Sequence, residues 1–125
     1  MRYMIINKAD ADSEAGVPPT KEVIEGVGAL VEDLAKAGVL LVAEGVHSSA
    51  RGARVKVDGG KRTVTDGPFA ETKELIGGIM VIDVRSKDEA IEWAARLAEA
   101  LDQEVELRLV VEAEDIEAAG EAAGL

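Results

Sequence analysis

The chain has 125 residues, 25 acidic against 14 basic side chains, and a formal net charge of −11. That length fits one domain around one core, and 47% hydrophobic with 31% charged residues is the composition of a soluble globular domain. The lack of cysteine excludes disulfides, thiolate metal sites and a cysteine nucleophile, while the acidic balance and a mere three aromatics (Tyr3, Phe69 and Trp93) argue against nucleic-acid binding. No apolar run reaches the length of a membrane span, and no signal-peptide core follows Met1, so a cytoplasmic protein with no membrane partner is expected.

In chain order, Arg2 to Lys8 reads as a strand, apolar on both faces at Tyr3 to Ile6. The loop "DADSEAGVPP" leads to Thr20, a helix N-cap with Glu22 in the first turn. Val23, Val27, Leu30, Val31 and Leu34 then recur with helical period, and Gly38 fits the position just past the helix. A second strand runs from Val39 to about Val46, followed by a polar loop, "HSSARGA". Val55 and Val57 alternate before Asp58-Gly59-Gly60, and Thr63 and Val64 follow, which predicts a small hairpin. Gly78 to Val84 is a strong strand. Ser86, with Glu89 three residues on, opens a helix whose stripe is Ala90, Ile91, Ala94, Leu97, Ala98 and Leu101. Val105, Leu107, Leu109 and Val111 alternate as a half-buried strand. Residues 1–112 thus form the domain, and 113–125 a tail that is either a short helix or frayed.

The order strand, helix, strand, hairpin, strand, helix, strand is the ferredoxin-like βαββαβ of an α+β fold with a β-hairpin inserted. Its sheet should alternate, because the face away from the helices would meet water. Met4-Ile5-Ile6, Val39 to Val42 and Ile79 to Ile82 do not alternate. Either the hairpin and tail fold over that face, or a second copy of the chain covers it; a homodimer is the simpler expectation.

The stretch "VTDGPFAETKELIGG", Val64 to Gly78, holds the one Phe of the chain beside a carboxylate. Pro68 and Gly67 make a rigid corner, and Asp66 is placed to accept hydrogen bonds from the amides that follow, so a purely structural turn is one reading. A carboxylate held against a ring is also a way to build a general acid or base. Further candidates are His47, the single histidine; Glu44, which interrupts an apolar strand; and Arg51, free to meet an anionic ligand or to pair with an acid. Glu71, Lys73 and Glu74 read as a solvated turn in which Lys73 can pair with either neighbour, and Gly77-Gly78 as a bulge or a close backbone approach. No phosphate loop, nucleophile elbow or metal-ligand spacing is present, and no cofactor or metal is expected.

The same stretch, with the "MRYMIIN" start, the passage from Leu34 to Gly45 and the "DEAIEWAARL" helix, resembles the DGPF branch of the YCII-related family over nearly the whole chain. The resemblance implies a dimeric α+β barrel of ferredoxin-like subunits and an activity that is mostly unassigned. It also implies an acidic position at Glu44, and some members occur beside or fused to sigma factors, which makes such a factor a candidate partner. In smaller relatives a His and an Asp in a cleft have been proposed as an acid/base pair. Asp66 keeps the acidic position, but the His position, eleven residues before Gly38, is Val27 in this chain.

Two functions follow. One is a homodimeric module that binds a small molecule near Asp66, Phe69, Glu44 and Arg51, or docks on a regulatory partner. The other is a cofactor-free enzyme with Asp66 as general acid or base, assisted by His47 or Glu44, acting on a small organic substrate.

Overall fold

Thr20 and Ser86 cap the two long helices as expected. In the computed structural model, which describes residues 1–71 and 74–124, Thr20 Oγ1 accepts from Val23 N–H at 3.3 Å and Ser86 Oγ from Glu89 N–H at 3.1 Å. Strand β1 is Arg2–Lys8, and the predicted loop after it contains a one-turn helix, α1 (Ala11–Glu14), capped by Asp10. Helix α2 (Lys21–Lys36) ends before Gly38, whose φ is +74°. Strand β2 is Leu40–Gly45, and a 3-10 turn at Ser49–Arg51 lies within the predicted polar loop. Strands β3 (Ala53–Asp58) and β4 (Lys61–Asp66) form the hairpin, with Gly59 and Gly60 at φ +56° and +81° in its two-residue turn. Strand β5 is Ile76–Asp83, α3 is Lys87–Leu101 and β6 is Val105–Leu109. The tail is ordered as helix α4, Ala113–Ala122.

The capping box of α3 closes differently from its sequence form. Glu89 accepts from Arg85 N–H at 3.0 Å, one residue ahead of the N-cap.

The four long strands form an antiparallel sheet in the order β2-β5-β1-β6, while β3 and β4 pair only with each other. The chain is therefore a mixed α+β fold with βαββαβ connectivity and an inserted hairpin. Tyr3, Ile5, Met80 and Ile82 point to the helices, where Leu30 and Leu34 of α2 and Ala90, Ala94 and Leu97 of α3 close the core. Each fully buried aliphatic side chain there contributes about 1.5–3 kcal/mol.

The other face carries Met4 and Ile6 opposite Val81 and Ile79, with Val42 beside Val81. Neither the hairpin nor α4 makes extended contact with the body, so folding of hairpin and tail over that face is not what the chain does. That face is apolar, and among the described residues no other element of the chain forms a layer over it.

Candidate functional site

A cavity of about 980 Å³ opens where β1 finishes and β5 begins. Its roof is α2, with Val23, Ile24, Val27 and Val31; its floor is the sheet end, with Asn7, Ala43, Gly78 and Met80. The α1 loop and the segment Val46 to Ser49 form the rim, and Phe69 reaches in from the corner after the hairpin. That volume lies in the range of small-molecule sites, and the wall is mostly apolar.

Asn7 is the polar group in the floor. It is half-buried, and its side chain lies over the two glycines of β5: a Cβ on Gly77 would come within 2.9 Å of Asn7 Nδ2, and one on Gly78 within 2.8 Å of Asn7 Oδ1. The pairing register shifts at this point, Asn7 facing Gly78 and Lys8 facing Ile76. Gly77-Gly78 is thus both bulge and close approach, as the sequence indicated. Among the described residues the Asn7 amide has no hydrogen-bond partner, while Gln103 Nε2 beside it donates to Lys8 O at 3.2 Å. Sequence reasoning missed Asn7; the signal available was the glycine pair, which makes room for something.

The corner Asp66–Phe69 is held by Ser49. Ser49 N–H donates to both oxygens of Glu14 at 2.8 and 2.9 Å, and Ser49 Oγ accepts from Phe69 N–H at 2.9 Å. Ser48 Oγ donates to Glu14 O at 2.6 Å. Gly67 lies flat on the Ser49 carbonyl, where an added Cβ would overlap the oxygen. Three loops distant in sequence are joined at one serine, and this joint sets the position of Phe69. Arg54 stacks over the Phe69 ring at 4.0 Å and reaches Glu71 at 3.4 Å.

The sequence-selected residues divide accordingly. Glu44, His47 and Phe69 line the cavity; Asp66 and Arg51 do not. Asp66 is exposed at the end of β4 opposite Ala53, and no hydrogen bond from its side chain to the corner amides is found among the described residues, so the expected Asx-turn is replaced by the Ser49 joint. Arg51 faces His47, at 3.3 Å from its Nε2, rather than an acid. Val27, at the position where the resemblance expects a His, points into the cavity. Lys73 lies outside the described residues. Among those described, no group of three or more His, Asp or Glu side chains could hold a metal, and no helix is long and apolar enough to cross a membrane.

A solved 5-chloro-2-hydroxyhydroquinone dehydrochlorinase from Burkholderia phenoliruptrix AC1100, in complex with 2,5-dihydroxybenzoquinone, is similar to this chain with a TM-score of 0.48 and 13% identity, over 91% of this chain and 97% of that one. An uncharacterized protein of Rhizobium meliloti (strain 1021) is 34% identical over 80 residues, which is 64% of this chain and 64% of that relative's length. Residues 1–114 match the model of the YCII-related domain, and the chain belongs to that family.

Proposed function

We propose that the protein is a homodimeric small-molecule-binding module whose ligand occupies the cavity under α2. The observation that carries this reading is the Asn7 amide, half-buried in an apolar cavity floor with no protein partner among the described residues. Such a group fixes one polar atom of a ligand while the walls bury the rest. Asp10, Asp12 and Glu14 line the cavity against Lys8 and His47, whereas the Glu44 side chain, in register with Ile79, belongs to the other sheet face. The field inside therefore disfavours anions, and the ligand is a mostly apolar molecule without negative charge that carries one amide, carbonyl or hydroxyl. The dimer forms through the sheet face of Met4, Ile6, Ile79 and Val81, over which no other element packs as a layer among the described residues.

The test is displacement of a neutral probe. Nile red should bind one molecule per chain, and Val27→Trp should abolish binding without loss of helix content. Benzamide should displace it better than benzoate, and Asn7→Ala should weaken benzamide about fivefold, from a net hydrogen bond of roughly 1 kcal/mol. Displacement by benzoate as effective as by benzamide overturns the reading.

The cofactor-free enzyme reading keeps one support, that His47 lines the cavity, with Glu44 at the adjoining end of β2. In that case acid/base work would fall to them and not to Asp66, and His47→Ala would remove turnover while leaving Nile red binding intact.

A further inference from the structure

The hairpin and α4 are two formed elements without a packing layer. All residues of β3 and β4 are exposed, and one face of the hairpin carries Val55, Val57 and Val64, exposed by 63%, 67% and 55%. Helix α4 buries no residue, and its Ile116 is 65% exposed. A lone two-stranded hairpin and a lone ten-residue helix are each marginal in water, so each needs a surface to lie against.

Their charges are opposite. Between Ala53 and Asp66 stand Arg54, Lys56, Lys61 and Arg62 against two acids, in a chain of net charge −11. From Glu112 onward there are five acids and no Lys or Arg. Their positions are opposite too. The hairpin leaves the β2 edge at the sheet end where Gly45 faces Gly78, and α4 leaves the β6 edge at the end where Leu109 faces Tyr3. These are diagonal corners, about 20 Å apart at the usual strand spacing and rise, and among the described residues the two elements of one chain share no extended contact. With two sheets face to face and a two-fold axis along the other diagonal, each hairpin falls over the partner's α4.

We infer that in the homodimer the valine face of each hairpin docks on α4 of the partner copy, with Val55, Val57 and Val64 against Ile116 and Arg62, which shares their face, against the acidic helix. The contact occurs twice, as two-fold symmetry demands. It rests on the dimer proposed above, and it extends that dimer from the sheet face to the two projecting elements.

The chain lacks cysteine, which makes the test direct. Full-length Val57→Cys and Ile116→Cys chains are co-expressed and oxidised, and each is also oxidised alone. The expected result is a disulfide-linked dimer in the mixture, at least tenfold less in either variant alone. Arg62→Glu should weaken dimerisation about threefold by sedimentation, and co-expression with Glu117→Lys/Glu121→Lys chains should restore it. A cross-link in Val57→Cys alone would place hairpin on hairpin and overturn the inference. So would a sedimenting dimer with no cross-link in the mixture, which leaves the sheet-face dimer standing. A chain monomeric at every concentration overturns both.

Discussion

Ile5, Leu34 and Ile82 have no exposure, whereas Val55 and Val57, just as apolar and just as regularly spaced, stand more than half in solvent. The two regions obey the same local rules. In the body, the strand residues find two helices at the distance that two packed layers require. In the hairpin, the same alternation finds nothing within the chain. Local pattern therefore decides that a segment is a strand and which of its residues share a face; whether that face is buried is decided by what the rest of the assembly brings to it.

The comparison breaks most sharply with paired truncations. Leu34→Ala empties a site with no exposed surface and should cost about 2–5 kcal/mol in urea unfolding. Val57→Ala should change chain stability by no more than about 0.5 kcal/mol. If Val57→Ala costs as much as Leu34→Ala in the separated protomer, the hairpin belongs to the body and the contrast is lost.

Gly67 tests the joint between the two regions. An added Cβ would overlap the Ser49 carbonyl, a backbone atom that cannot swing aside. Gly67→Ala should therefore cost about 1–3 kcal/mol, the range for forced overpacking, and should move Phe69 away from the cavity. Nile red affinity should fall with stability. Unchanged stability and affinity would mean that the corner is not seated on Ser49.

Much of this was legible in the residues. Both long helices and their caps, the hairpin with its glycine turn, and the close approach at Gly77-Gly78 follow from local chemistry that neighbours enforce. The Ser49 joint was not legible, because it links Glu14, Ser49 and Phe69 across gaps of 35 and 20 residues, and "HSSARGA" carries no pattern that announces a partner. Asn7 was hidden for a related reason: it follows the apolar run Tyr3 to Ile6 near the end of β1, and its standing depends on the cavity in front of it. Asp66 is the reverse case, a residue made conspicuous by its neighbours in sequence and left in solvent by the fold.

Asp66→Asn sharpens that last point with a smaller effect. An exposed carboxylate without a hydrogen-bond partner among the described residues should tolerate the change within about 0.5 kcal/mol, and Nile red binding should not move. Unfolding of the variant would restore the turn-forming role that its sequence position implied.

The smallest effect concerns the attachment of α4. Arg2 Nε and Nη2 donate to Glu112 Oε1 and Oε2 at 2.7 and 3.0 Å, a bidentate pair between the first strand and the start of the helix. The hydrogen bond from Arg2, opposed by partial desolvation and helped by the Arg2 charge, holds the Glu112 carboxyl below the usual carboxylate range. The same pairing raises Arg2, which already stays charged across any working pH. A depressed folded value means that the stabilisation is fully present above the ordinary carboxylate range, about 4.3, and disappears as pH falls through the folded value. The attachment should thus be constant through neutral pH and loosen only in acid. Both side chains are about two-fifths exposed, so the effect is modest and screened by salt. Amide hydrogen exchange over Ala113–Ala122 reads it directly: Glu112→Gln at pH 7 should exchange as fast, after correction for intrinsic rates, as the unmodified chain in acid, with the core amides of Ile5 and Ile82 unchanged. Equal protection of α4 in both proteins at pH 7 would mean that Arg2 does not hold the helix, and that its order comes from elsewhere.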